Sequence, residues 1–373
     1  MNREYHIAVV PGDGIGHEII PAGVQVLKAV ARRLGFTLST ENFPYGAGYY
    51  KDTGDFMPSD ALETLRQFDA IYFGAVGLPD VDDTLPAKMF TFKIRKSFDQ
   101  YVNYRPARLL PGVQSPLRDR TSKDIDFVVI RENTEGEFVQ VGGFVQLVSA
   151  ERACLGLAEP RRAGAGPDFP EGFAMDTSIF TRKGIERVAH YSFRLAQKRR
   201  QKVTNITKSN TLIHSLAYWD SVVEQVSQTY PGVTYEKMYV DNASANFVLH
   251  PERFDVIVTT NFIGDILSDL GGAIMGSLGL GPSGNINPER TYPSMFEPIH
   301  GSAPDIAGQG IANPIGAIWS GAMMLEHLGE EEAANLVVKA IQTALQEGML
   351  PADLGGSAKT AQITERIVKE LRK

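Results

Sequence analysis

HIAVVPGDGIGHEIIPAGVQVLKAVARRLG, residues 6–35, decides the fold class. Its opening, His6 to Val10, is an apolar run of strand length. After the turn Pro11-Gly12-Asp13-Gly14-Ile15-Gly16, the residues Ile20, Val24, Leu27, Ala31 and Leu34 recur at helical spacing, and Gly35 follows as a C-cap. The same alternation continues downstream. Ala70 to Phe73, Asp126 to Ile130, Val203 to Thr207 and Asp255 to Thr260 read as buried strands, and Ile185 to Leu195 and Ser215 to Val226 as amphipathic helices. The pattern predicts an α/β fold with helices flanking a mainly parallel sheet.

With 373 residues the chain is long enough for two domains. Lys and Arg number 37 against 44 Asp and Glu, a net charge of -7 that lacks the positive field nucleic acid or an anionic membrane surface demands. The expected partner is a small molecule. Cys154 is the one cysteine, which excludes an intramolecular disulfide and a Cys-rich metal site and fits a reducing compartment. MNREYHIAVV lacks the apolar segment and cleavage site of a secretory signal, so a cytoplasmic protein is expected. The uncharged stretches Leu270 to Pro288 and Ile306 to Leu325 are broken by Gly, Pro, Asn and Ser and are not membrane spans. From about 150 to 174 the pattern lapses into Gly, Pro and charge, a lid, arm or insertion. The basic run Lys198, Arg199, Arg200, Lys202 reads as a solvated helix end.

Several residues could carry chemistry. The glycines of Pro11 to Gly16 could offer N–H groups to a phosphate, but their G-x-G-x-G spacing misses the dinucleotide fingerprint, and a tight turn accounts for them equally. In NFIGDILSDLGG, Asp265 and Asp269 stand at i and i+4 on one helix face just after a strand, where Mg²⁺ or Mn²⁺ would find hard oxygen ligands; a solvated acidic face has the same spacing. Asp241, closing YEKMYVD, could complete a three-carboxylate set. Arg95, Arg105 and Arg131 suit bidentate carboxylate binding or surface ion pairing. Lys208 follows the strand VTNIT as a solvated lysine or, beside a divalent cation, as a base. FEPIHGSAPDIAGQGIANP, from Phe296, embeds Glu297, His300, Asp305 and Asn313 in what reads as a binding loop or a structural one.

PGDGIG, the Arg95…NYRP pair, RENTEGE, TKSN, YVD, GDILSD and HGSAPDIAG…IANP occur in one order over nearly the whole chain outside 150 to 174. In this the sequence resembles the metal-dependent β-decarboxylating dehydrogenases that include isocitrate and isopropylmalate dehydrogenases. FDQYVN, PERFDVIV and NINPER are most similar to the tartrate and decarboxylating D-malate dehydrogenase branch. The resemblance implies a two-domain α/β fold around a central cleft, with one domain from 1–100 and 277–373 and the other from 101–276. It implies a homodimer with shared active sites and inactive monomers, clasped by an arm near 136 to 180. Mg²⁺ or Mn²⁺ would be held by Asp265, Asp269 and Asp241 of the partner subunit, and K⁺ is a further candidate ion. Lys208, assisted by Asp241, would take the substrate's hydroxyl proton, while Arg95, Arg105 and Arg131 hold a carboxylate of the hydroxy diacid. Hydride would pass to NAD bound by His300, Gly301, Ser302, Ala303, Asp305 and Asn313, with Asn210 and Glu297 near the nicotinamide. Asp305 would repel the 2′-phosphate of NADP.

Two departures stand out. Phe138 follows RENTEGE where the family usually has a tyrosine that protonates the enolate carbon, and a phenyl ring has no proton to give. Either another acid serves, or oxidation outruns decarboxylation. Lys88, in LPAKMFTFKIR, occupies the region that reads the substituent on the malate skeleton and would favour an anionic one. The expected activity is oxidation, usually with decarboxylation, of a D-malate- or tartrate-type diacid. A specialised 3-substituted malate and a catalytically silent dimer partner are the alternatives.

Overall fold

β1 (Glu4–Gly12) runs through the glycine turn into α1 (Gly16–Leu34), whose C-cap Gly35 adopts a left-handed φ of 71°. That is the conformation a glycine accepts without a Cβ penalty. The computed structural model describes residues 3–146 and 172–373. Of the expected insertion at 150 to 174, all but its last few residues lie outside them, as does Cys154.

The remaining strands are β2 (Thr37–Asn42), β3 (Ala70–Ala75), β4 (Val102–Arg108), β5 (Asp126–Glu132), β6 (Gly136–Gln146), β7 (Gly172–Ile179), β8 (Lys202–Thr207), β9 (Thr234–Tyr239), β10 (Val256–Thr259), β11 (Pro282–Ile286) and β12 (Ser294–Pro298). The longer helices are α2 (Phe92–Ser97), α3 (Arg182–Gln197), α4 (Ser215–Ser227), α5 (Val240–Leu249), α6 (Asn261–Ile274), α7 (Ile315–Leu328), α8 (Glu331–Gln346) and α9 (Thr360–Leu371). Ten strands form one sheet in the order β2-β1-β3-β12-β11-β4-β5-β10-β8-β9, and β6 pairs with β7 as a separate antiparallel ribbon. The outer parts of the sheet are parallel, as the βα alternation predicts. Its centre is not: β12, β11, β4 and β5 pair antiparallel in succession. Strands from both chain ends thus occupy one half and strands from the middle the other, meeting where β11 pairs with β4.

Both faces are covered, as the apolar runs require. Ala8, Val10, Ile71 and Phe73 pack into a cluster with Phe56, Phe90 and Phe98, while Ile7, Val9, Ala70 and Tyr72 face the larger cluster beneath α1 and α7. Part of the basic run differs from expectation. Arg199 donates to Asp255 and Asp126, each at 2.8 Å, and Arg200 N donates to Asp255 Oδ2 at 2.8 Å. Asp255 is 1% exposed just before β10, and a buried carboxylate needs those donors, so Arg199 is pinned, while Lys198 and Arg200 keep exposed side chains as expected.

Candidate active site

The antiparallel centre of the sheet carries a polar face. Register sets Met295 opposite Asn285, Asn285 opposite Asn103 and Asn103 opposite Arg131, while Ser283 lies opposite Glu297. Directly opposed residues, and those two apart on a strand, share a face, so Arg105, Arg131, Asn103, Asn285 and Glu297 all project to one side. Arg95 reaches them from α2.

The three arginines the sequence singled out come together here, buried to 7%, 9% and 2% exposure for Arg95, Arg105 and Arg131. Arg131 donates through Nε to Asn261 Oδ1 at 2.8 Å and through Nη1 to Asp265. Arg105 donates through Nη1 to Ser268 Oγ at 2.8 Å and to Asp269 Oδ1 at 3.2 Å, with Asp265 Oδ1 at 3.7 Å. Arg95 donates to Glu297 Oε1 at 2.9 Å. Burial pushes the Arg131 guanidinium down to about 10; Asp265 resists the fall, and the charges of Arg105 and Arg95 add to it. Burial would raise the Asp265 carboxyl, but Arg131 and Arg105 outweigh it and hold it below its usual value. At Asp269 burial prevails and the carboxyl is raised.

α6 positions both acids. Glu137 accepts from Thr260 Oγ1 at 2.7 Å and from Phe262 N at 3.2 Å, setting a carboxylate at the positive end of the helix dipole. Gly264 lets the helix rest on Arg131, whose Cβ would stand 2.7 Å from any Cβ there. Asp265 and Asp269 then share the face predicted for them, with side chains 45% and 56% exposed. Phe138 also borders this cluster. Its ring lies 5.6 Å from the Arg131 guanidinium carbon and packs against Phe92 and Phe262.

Lys208 and Asp241 do not join that cluster. They leave the sheet side by side, because β8 and β9 pair Thr207 with Tyr239, and they bond each other. The hydrogen bond from Lys208 keeps the Asp241 carboxyl low. Among the described residues no three of His, Cys, Asp and Glu converge as a metal-holding group, so a single chain brings together Asp265 and Asp269 without Asp241. Lys88 is exposed on the π-helical turn Ala87–Thr91, and Asn210 is exposed after β8.

A separate cleft of about 440 Å³ is lined by Ile15, Ser277, Gly279, His300, Gly301, Ala303, Ile306, Ile311, Asn313, Ala352 and Asp353. His300 Nδ1 lies 3.0 Å from Gly301 O, its Nε2 is buried without a partner among the described residues, and burial lowers its pKa. Asn313 Nδ2 donates to Asp353 Oδ2 at 3.0 Å. Ser302 and Asp305 lie outside the lining: the Ser302 carbonyl accepts from Ile15 N at 2.8 Å, and Asp305 is exposed. The Pro11 to Gly16 turn is fixed by distant contacts, and its Ile15 lines the cleft. Asp13 accepts from the N–H groups of Ala47, Gly48 and Gly77 at 2.8 to 2.9 Å, and a Cβ on Gly14 (φ 55°) would meet Ser302 O at 2.0 Å.

The sequence reading passed over Glu137, Asn261, Ser268, Asn285 and Asp353. Only Ser268 carried a local signal, its place beside Asp269; the others are recruited by pairings distant in sequence. It also passed over Glu132, fully buried, which accepts from Thr134 N, Thr134 Oγ1 and Glu135 N at 2.8 to 3.0 Å. Burial raises its carboxyl to about 7 against those bonds.

The model of the isocitrate/isopropylmalate dehydrogenases matches residues 6–367. The chain belongs to the isocitrate/isopropylmalate dehydrogenase family. It is 47% identical to a probable tartrate dehydrogenase/decarboxylase of Agrobacterium vitis, over 99% of this chain and 98% of that one. It is 46% identical to the decarboxylating D-malate dehydrogenase of Escherichia coli strain K12, over 99% of each. Among solved structures, isocitrate dehydrogenase from Methylococcus capsulatus superposes with a TM-score of 0.83 at 32% identity, covering 99% of this chain and all of that one. The family and the α/β fold that the motifs implied are thereby established. Among the described residues no helix is long and apolar enough to cross a membrane.

Proposed function

We propose that the chain oxidises a D-malate- or tartrate-type 2-hydroxy diacid with NAD and Mg²⁺ or Mn²⁺, as a homodimer whose sites draw on both subunits. One observation carries the substrate class: Arg95 and Arg105, both more than nine-tenths buried, each hold a buried Nε without a partner among the described residues. Buried guanidinium donors left unmet are costly unless a ligand meets them, and a carboxylate fits their fork.

The donors present fit the cation and the cofactor. Asp265 and Asp269 offer partly exposed carboxylates from one helix face beside those guanidiniums. The 440 Å³ cleft offers glycine-lined backbone, an unmet His300 Nε2 and a carboxylate at Asp353. When bound, the cation would acidify the hydroxyl and the nicotinamide would accept the hydride. This chain's residues do the rest. Arg95, Arg105 and Arg131 hold the diacid by a carboxylate, and Lys208, held by Asp241, takes the hydroxyl proton. Lys208 and Asp241 act in the neighbouring subunit's site, a reading supported by their separation from the Asp265 cluster. Phe262 and Ile266 on α6, Val248 and Leu249 on α5, and Leu212 and Ile213 are 43–62% exposed and offer an apolar surface for that contact. The β6–β7 ribbon is the proposed arm, and the halves meeting at β11 and β4 are the proposed domains. Phe138 offers no proton, so the carbon left by decarboxylation takes its proton from water or Lys208.

The test is NADH formation over D-malate, L-tartrate and 3-isopropylmalate, with Mn²⁺ and with chelator. Turnover of none of these, or turnover indifferent to chelator, overturns the reading. Preference for an acid with a third anionic group, lost in Lys88→Ala, would favour the specialised substrate.

A further inference from the structure

The polar face of the sheet contains more than substrate ligands. Asn285, fully buried on β11, accepts through Oδ1 from Asn103 Nδ2 and Asn133 Nδ2, both at 3.0 Å, and donates through Nδ2 to Glu297 Oε1 at 2.7 Å. Glu297 Oε1 in turn accepts from Arg95 Nη2. The polarity admits one arrangement. Turned over, the Asn285 amide would set its NH₂ against two other NH₂ groups and its carbonyl against a carboxylate. The chain of bonds runs from β4 and the end of β5, across the junction of the two halves of the sheet, to a guanidinium whose Nε remains unmet.

We propose that Asn285 is a positioning residue for the substrate: it orients Glu297, which occupies Nη2 of Arg95 and turns the rest of that guanidinium toward the diacid. This rests on the reading of Arg95 as a carboxylate ligand. A polar residue fully buried between strands costs stability unless its polar atoms are met; Asn103 and Asn133 meet Oδ1, and of the two bonds from Nδ2 the short one, at 2.7 Å against 3.5 Å to Met295 O, leads through Glu297 to Arg95. By tying β4 and β5 to β11 and β12, it also registers the substrate's grip to one relative setting of the two halves.

Asn285→Asp tests it, since the shape and both acceptor bonds persist while the link to Glu297 becomes a contact of two carboxylates. KM and kcat are measured on the full-length enzyme with NAD, Mn²⁺ and whichever of D-malate and L-tartrate the wild type turns over faster, for Asn285→Asp, Arg95→Gln and the double variant. Expected is a KM raised about tenfold in Asn285→Asp with kcat within about twofold, and about 10- to 100-fold in Arg95→Gln, the scale of a charged hydrogen bond. The double variant should be no worse than Arg95→Gln, because one residue acts through the other. Independent, multiplying effects, or a KM unchanged in Asn285→Asp, overturn the proposal. An unchanged KM in Arg95→Gln instead overturns the reading of Arg95 itself.

Discussion

Asp265→Asn separates the proposed roles of this carboxylate. In the protein Asp265 accepts from Arg131, which is 2% exposed, and stands 3.7 Å from Arg105. Removing one member of a buried ion pair costs roughly 3–5 kcal/mol because the other charge is stranded. Asp265 itself is 45% exposed, so water screens part of that field, and the asparagine keeps a neutral acceptor. About 1–3 kcal/mol remains, which at roughly 2 °C per kcal/mol in a chain of this size lowers Tm by about 2–6 °C. Calorimetry at one fixed protomer concentration checks this, since oligomer stability varies with concentration. A second scan adds Mn²⁺. A cation at 100 times its Kd stabilises by about 2.7 kcal/mol, and the variant should lose most of that increment, having one anionic ligand fewer and an uncompensated guanidinium facing the ion. A Tm within 1 °C of wild type, or a full Mn²⁺ increment, would refute the reasoning.

Shared sites predict that Lys208→Ala and Asp265→Asn, each nearly inactive as a homodimer, regain up to about a quarter of wild-type activity when co-folded, since a mixed dimer keeps one intact site; no recovery would place the whole site in one chain. Phe138→Tyr should raise the CO₂ released per NADH formed, measured by coupled gas detection, and an unchanged ratio and rate would show that another acid already suffices. Glu132, lifted from 4.5 to about 7 by burial, holds its proton more tightly when folded, so its contribution falls as pH rises through that window. The loss is about 3 kcal/mol at 1.36 kcal/mol per pH unit. Glu132→Gln should flatten denaturation stability between pH 4.5 and 7 relative to wild type; a parallel profile would exclude this carboxyl.

What the sequence disclosed follows from how far apart the relevant residues lie. The period of α1, its Gly35 cap and the i, i+4 placement of Asp265 and Asp269 are local, and each was readable. β1, β3, β5, β8 and β10 announced themselves as apolar runs because both their faces are covered, whereas the exposed edge strand β2 did not. β11 and β12 did not, since Ser283, Asn285 and Glu297 break the apolar signal to build the polar face. The antiparallel centre of the sheet was missed for the reason that makes it useful. Arg199 was misjudged because its partners Asp126 and Asp255 lie 73 and 56 residues away. The function of the Pro11 to Gly16 turn was likewise hidden in its distant contacts with Ser302 and the N–H groups taken by Asp13.

Charge balance in the cluster constrains what it can bind. Arg95, Arg105 and Arg131 are matched in number by Glu297, Asp265 and Asp269, each acid bonded to at least one of the three. A diacid entering this balanced set, whose arginines are buried and whose Asp265 and Asp269 are about half exposed, brings two uncompensated negative charges, and a divalent cation entering without it brings two positive ones. Either excess is unfavourable beside the buried guanidiniums, whereas the two together restore neutrality. Binding of Mn²⁺ and of D-malate should therefore be strongly coupled, each tightening the other by one common factor, about 10-fold or more. Equilibrium dialysis of Mn²⁺ with and without D-malate, and of D-malate with and without Mn²⁺, gives the factor from both sides without catalysis. Equal affinities with and without the second ligand would mean that the guanidiniums and carboxylates do not share one field, and the argument joining the arginine cluster to the acidic face of α6 would fail with it.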